Sequence, residues 1–305
     1  MAVEAQTLIS AANFNTLQNR VARILGTGID QTGYGQPVTS SPVPADSIIY
    51  ASDMVKLLTD INAISIHQIG APTSLAVVVP ETPVLANEVE ADDNDGFNQF
   101  ITAVEVLESR LGIVDATQIG LETLSVDSRY DEWNGKITHS FTLTFPNADI
   151  RRNFFNAGGE IWISAELEGP STPKNDNWKQ MFTNTGVIKF GNTYTQVTGS
   201  GTLLPEEGVL GNFTITTSLT NIFLRTGAEG STYEENYYRL YVRELSTKAI
   251  QFLVELEDVD SGDPNFDESV SGVLSSIVQC QRPVGSFVSI EAPAYSVQSS
   301  LEVGG

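Results

Sequence analysis

Hydrophobic positions change their spacing near residue 120. Before it they recur at steps of three and four; after it they alternate. In LISAANFNTLQNRVARILG, Phe14, Leu17, Val21 and Ile24 fall on one helical face, and Gly26 follows where a C-cap glycine is expected. The segment IIYASDMVKLLTDINAISIHQIG repeats the pattern with Met54, Leu57, Ile61 and Ile64, each 40 residues after its counterpart. Ile9 and Ile49, and Ala11 and Ala51, keep the same offset. Each copy carries one narrow apolar stripe, which can be buried against the other copy or against a neighbouring subunit. Phe14, Leu17, Val21, Ile24, Met54, Leu57, Ile61 and Ile64 are therefore the candidate assembly residues. A third helix is expected over Phe97 to Leu111, with Phe100, Val104, Leu107 and Leu111 on one side and Gly112 behind it. Pro80 to Gly96, which holds the acidic run EVEADDNDG, is expected to be a loop or lid.

The period then becomes two. KITHSFTLTF places Ile137, His139, Phe141, Leu143 and Phe145 on one face and Thr138, Ser140, Thr142 and Thr144 on the other, a half-buried strand. Asn134-Gly135 just before it predicts a hairpin with a type I′ turn, because both residues tolerate positive φ. Further strands are expected at EIWISAELE, GVIKFG, GNFTITTSL, NYYRLYVREL, KAIQFLVELED, VSGVLSSIVQ and SFVSIEA. Two short helices interrupt them: PNADIRRNFFNAGG, with Asn147 as the candidate N-cap, and NDNWKQMFTNTG, ending at Gly186. Phe154 or Phe155 is expected inside, and Arg151 and Arg152 are expected to bridge to acidic neighbours. The predicted fold is α+β: an N-terminal helical region over residues 1–112, then an antiparallel, β-sandwich-like body over 113–305.

Charge narrows the partners. A net charge of −22 repels polyanions, so neither nucleic acid nor an anionic membrane is expected as a partner. Cys280 is the only cysteine, which rules out an intrachain disulfide and a thiolate metal cluster. MAVEAQTLIS has neither a basic n-region nor an apolar h-region, so no signal peptide is expected and synthesis in a cytoplasm is.

Candidate chemistry is sparse. ILGTGIDQTGYGQ, residues 24–36, holds four glycines, but it follows a helix and precedes the proline-rich QPVTSSPVP. A dinucleotide fingerprint needs a strand before its glycines and a helix after them, so the stretch reads as a helix stop and connector. His67 and His139 are the only histidines; a three-His metal site is impossible, and a Ser-His-Asp triad would need one of them. Both are expected to be packed, hydrogen-bonded residues. In EDVDSGDPNFDES, Asp258, Asp260 and Asp263 are weak calcium candidates beside a solvated turn. The EF-hand pattern fails there, because Gly262 stands where the third acid should be. Any two acids can converge in space as a glycosidase pair, but nothing singles one out. No catalytic residue and no cofactor is expected.

Several segments resemble virion structural proteins of contractile-tailed, T4-like cyanophages. They are the ILGTG…GYGQ connector, the close at His67, Gln68 and Gly70, EWNGKITHSFTLTF, FFNAGGEIWIS (154–164), NWKQMFTNTGVIKF (177–190) and APAYSV. The acidic insertion from Glu88 to Asp95 departs from that group's pattern. The resemblance implies a non-enzymatic particle component of the neck, tail or fibre, found in the virion as a symmetric homo-oligomer with copies of itself and other virion proteins as partners. The alternative is a capsid-decorating or host-surface (glycan) binding module; a carbohydrate-degrading enzyme is a more distant one.

Overall fold

The computed structural model describes residues 9–27, 31–75, 96–129, 132–205, 210–259 and 269–303. The chain divides into two compact units: Met1–Gly120 with Arg152–Gly158 and Arg282–Ile290, and Leu121–Arg151 with Gly159–Gln281 and Glu291–Gly305. The boundary at 120 lies close to the change of period. The two later returns of the chain to the first unit were not anticipated.

The first unit is built on α1 (Ala11–Leu25), α2 (Ala51–Ile69) and α3 (Phe97–Glu108). Ser10 caps α1, its Oγ accepting the Asn13 N–H at 3.2 Å. At the start of α2 the Asp53 carboxylate accepts the Tyr50 N–H at 2.9 Å. Gly70 ends that helix in the left-handed region, at φ 82°, where a Cβ would meet the Asp115 carboxylate. The three helices pack on one another. Phe14, Leu17, Val21, Ile24, Met54, Leu57, Ile61 and Ile64 are all 0 to 2% exposed. This corrects the assembly assignment: with α3 present to receive both stripes, the eight side chains form the interior of one chain and are closed to a second. Leu111, expected on the inner side of α3, lies past the end of the helix and is 43% exposed.

The second unit is a two-sheet sandwich. In chain order the elements after α3 are β1 (Ile119–Arg129), β2 (Gly135–Thr144), α4 (Ala148–Asn156), whose residues from Arg152 on belong to the first unit, β3 (Glu160–Glu168), α5 (Pro173–Thr185), β4 (Ile188–Phe190), β5 (Thr195–Val197), β6 (Thr202–Leu203), β7 (Thr220–Thr226), β8 (Tyr237–Ser246), β9 (Ala249–Asp258), β10 (Val273–Pro283) and β11 (Ala294–Val303). One sheet has the order β1-β10-β3-β4-β5 and the other β11-β2-β9-β8-β7-β6. The fold class is thus α+β with a sandwich-like body. β2 lies between β11 and β9 and alternates between buried and half-buried residues along its whole length. Its buried side chains face the other sheet: His139 bonds Ser276 of β10, and Phe190 of β4 meets Phe252 of β9 with ring centroids 5.2 Å apart.

Three local expectations are corrected. Asn134-Gly135 is not a hairpin turn, because β1 and β2 belong to different sheets and Gly135 alone of the two has positive φ. GNFTITTSL forms turns, with the Thr214 and Ile215 amides both donating to the Gly211 carbonyl; the strand starts only at Thr220. SFVSIEA makes a single bridge, Ser289 to Val284, and the final strand is β11. The helix signals held: Asn147 Oδ1 accepts the Ile150 N–H at 2.8 Å, and Gly186 closes α5 at φ 66°. Phe154 and Phe155 are both buried.

Phe141 sits directly opposite Phe252 in the buried row of β2. Phe141→Ala is expected to destabilise the sandwich by about 3–5 kcal/mol, read by chemical denaturation followed by circular dichroism.

Candidate functional site

Three residue types of a nucleophilic triad meet inside the sandwich. Asp127 of β1, His139 of β2 and Ser276 of β10 converge, with His139 Nδ1 2.7 Å from Ser276 Oγ and Nε2 3.9 Å from Asp127 Oδ2. The Asp127 separation is too long for a hydrogen bond. Ser276 is 0% exposed and His139 1%, so a substrate carbonyl has no approach to the hydroxyl. Burial lowers the His139 pKa, and Arg129 adds to that, against the opposing pull of Asp127. A neutral imidazole there ties the two sheets together, while the Ser128–Ser275 hydroxyl contact at 2.8 Å joins the neighbouring strands β1 and β10 of one sheet. The packed role expected of His139 is the one it has.

A second buried cluster accounts for Asp258. Lys174, in the first turn of α5, donates from Nζ to Asp258 Oδ2 at 2.9 Å, and Asn236 Nδ2 donates to Oδ1 at 2.8 Å. Both members of the ion pair have side chains at 0% exposure. The calcium assignment is corrected for Asp258, since each of its carboxylate oxygens is already held by an internal donor; Asp260 and Asp263 lie outside the described residues. Among the described residues no group of three or more His, Cys, Asp or Glu side chains is arranged to hold a metal. Sequence reasoning missed Lys174 and Asn236. One signal was available: a lysine in the first turn of a helix opposes the helix dipole and needs an anion to justify it.

In the first unit the glycine-rich connector folds back on α1. The amides of Tyr34, Gly35 and Gln36 donate to the carbonyls of Ile24, Gly26 and Leu25, each at 2.9 Å. They satisfy the end of the helix, which is what a stop and connector requires. A Cβ on Gly33 would lie 1.8 Å from the Gly26 carbonyl oxygen, so glycine is obligatory there. Asn156 Nδ2 donates to the carbonyls of Gln31 and Gly33 at 2.8 and 3.0 Å. Tyr34 is fully buried with its ring edge-on to His67, and its hydroxyl accepts from Gln68 Nε2 at 2.7 Å. Burial pushes the Tyr34 hydroxyl up to about 12. His67 Nε2 donates to the Ala157 carbonyl at 3.1 Å, which fixes the neutral tautomer with its proton on that nitrogen. Burial lowers its pKa to about 4.

Polar groups nearer the surface are also engaged. Arg151 donates to Asn212 at 2.8 Å and to Glu244 at 2.7 Å, the acidic bridge expected of it, and Arg152 reaches Gln31 at 3.1 Å. On the outer face of the β11-containing sheet, Glu255 and Glu257 stand two residues apart on β9. Lys136 lies 3.7 and 3.4 Å from them, and Arg239 stacks on the Tyr237 ring at 3.7 Å. A single cation therefore spans these two carboxylates. Among the described residues, one shallow cleft of about 390 Å³ lies beside α3, lined by Thr73, Asn98, Thr102 and Val106, and another of about 450 Å³ lies between α5 and β3, lined by Ser164, Glu166, Lys179 and Phe182. No described helix is long and apolar enough to cross a membrane. Comparison with protein-family models, curated proteins and solved structures found no match.

Two outcomes follow. Lys174→Met strands the Asp258 carboxylate in the interior and is expected to cost about 3–5 kcal/mol of stability, with Lys174→Met/Asp258→Leu recovering much of the loss; equilibrium urea unfolding of the single and double variants reads this. Second, His67 stays neutral in the fold down to about pH 4 while an unfolded histidine protonates near 6.5. Between those values the unfolded chain binds the extra proton, so stability falls as pH falls, by up to roughly 1.4 kcal/mol per unit. His67→Asn is expected to flatten the stability–pH profile in that window.

Proposed function

We propose that the chain is a non-enzymatic structural component of a tailed-phage particle, in its neck, tail or fibre, working as a symmetric assembly of identical copies. The particle assignment rests on the resemblance of FFNAGGEIWIS and NWKQMFTNTGVIKF described above. The assembly assignment rests on one observation about the sandwich. Of its four edge strands, β1 and β11 lie on the same side, since Asp127 of β1 approaches His139 of β2, the strand that β11 flanks. Leu121 and Val126 on β1 are each 51% exposed and Tyr295 on β11 is 53% exposed. Apolar side chains along two strand edges suit cohesion between protomers better than turnover of a small molecule.

A second reading, recognition of a surface glycan, has Tyr237 and Tyr241 in its favour, which stand with Arg239 and Glu255 on an outer sheet face. Arg239 covers one face of the Tyr237 ring, however, and leaves less of it for a sugar to stack on.

The assembly reading expects the purified chain to show a mass of at least two protomers at micromolar concentration by sedimentation, and to be located in density in imaged particles. A monomer at every concentration, missing from particles, would refute it; binding on a glycan array with no self-association would favour the second reading.

A further inference from the structure

The ladder fixes which backbone groups of β11 have no strand beside them. The Phe145 amide donates to the Lys248 carbonyl at 2.9 Å, so Phe145 and Lys248 form a hydrogen-bonded pair of the β2–β9 ladder. Hydrogen-bonded and non-bonded pairs alternate along an antiparallel ladder. Leu143, Phe141, His139 and Ile137 therefore also turn their N–H and C=O groups to β9, and Thr144, Thr142, Ser140 and Thr138 turn theirs to β11. The same phase holds two ladders further on, where the Gly227 amide donates to the Asn236 carbonyl between β7 and β8. The β11 residues opposite Thr144, Thr142, Ser140 and Thr138 are Ala294, Ser296, Gln298 and Ser300. Tyr295, Val297 and Ser299 consequently direct their amides and carbonyls away from the sheet, where no described strand lies.

This edge lacks the usual safeguards. It is ten residues long, pairs with β2 without a register shift, and contains no proline and no lysine. Natural sheets blunt such edges with bulges, prolines or charges, because an open row of amides and carbonyls accepts another strand. The side chains point the same way. Tyr295, Val297 and Ser299 share a face with the buried Leu143, Phe141 and His139, yet Tyr295 and Ser299 are exposed and Val297 only half-buried. The core-facing side of the sheet thus continues past its own cover.

Charge selects the occupant. Two copies of this chain each carry −22, and most meetings of their surfaces bring acids together. AYSVQSSLEV has one charged residue, Glu302, at its far end. When two such strands run antiparallel about a two-fold axis near Gln298, each Glu302 falls opposite the neutral Ala294 of its counterpart. The pairing then opposes no like charges and covers both copies of Tyr295.

We propose that β11 is the self-association surface: two copies join edge to edge through antiparallel β11 strands, extending the six-stranded sheet into a continuous twelve-stranded one across a two-fold axis. This rests on the assembly reading above and supplies its contact. Larger closed assemblies built through this contact would carry an even number of chains.

The test uses the full chain. Val297→Pro removes an outward-facing amide and leaves the bonds to β2 in place; Ser299→Lys puts like charges beside the axis without touching the backbone. Each is expected to raise the dimer dissociation constant at least tenfold by sedimentation, with Ser299→Lys partly rescued by high salt. A single cysteine at Gln298, which faces its own copy across the axis, is expected to form an interchain disulfide on mild oxidation. Ala294→Cys is not, because the two copies of that position would lie about 25 Å apart. Cys280 is buried and does not compete. If Val297→Pro fails to fold, Ser299→Lys and the cysteine variants decide. An oligomer that persists in Ser299→Lys, with no disulfide in Gln298→Cys, overturns the β11 contact and leaves the assembly reading standing. A wild-type chain that is monomeric throughout overturns both.

Discussion

Two-residue alternation along β2 constrains the body more than any other feature. From Ile137 to Leu143 its odd positions are buried and its even positions only partly so. A slip of one residue against β9 or β11 would send Phe141 and Leu143 to water and bring Thr142 and Thr144 into the core. The fixed phase also determines the polar chemistry of the interior. It puts His139 against Ser276, and it decides which amides β11 shows to the outside. Core and edge are two readings of one register.

Several charged groups in this chain are buried together with their partners. Lys174 and Asn236 each donate to Asp258, and Arg151 directs its guanidinium to Asn212, Glu244 and two carbonyls. Across the helices, the Arg20 fork grips both Glu108 oxygens at 2.9 and 2.7 Å, which raises the pKa of the arginine and lowers that of the glutamate. Such pairs contribute less net stability than their Coulomb attraction suggests, because both charges lose water. Their sharper effect is negative, since removing one partner leaves the other stranded. That asymmetry favours a single arrangement of α5 against β9 and of α4 against the β8–β9 turn.

Local signals in the sequence read well, and signals that depend on the identity of a neighbour did not. The helical stripes of Phe14 to Ile24 and Met54 to Ile64 located α1 and α2 to within a few residues, and the alternation in KITHSFTLTF located β2. What the stripes pack against depends on α3, some forty residues later, so those side chains were assigned to a second subunit when the same chain covers them. Asn134-Gly135 suits a tight turn only if the strands on either side are partners; here one strand enters each sheet. GNFTITTSL carries strand-forming residues but has no ladder to join. The polar clusters were hidden for the same reason. Ser276 stands 137 positions from His139, and Asp258 stands 84 from Lys174, with no periodicity connecting either pair. The unusual position of Lys174 in a first helical turn was the one local trace.

The first unit closes with pieces made much later. Carbonyls of Gln31 and Gly33 are capped by Asn156, His67 is anchored by the carbonyl of Ala157, and the Gln118 carbonyl accepts the amide of Val284. On a ribosome, which releases residues from first to last, the three helices emerge long before the segments that complete them. They must remain partly open, or be shielded, until nearly all of the described chain has been synthesised. Long loops then have to close before those contacts give any return, which slows the final step of folding. A shortened message ending near residue 120 would therefore yield helices without their fasteners rather than a small independent protein.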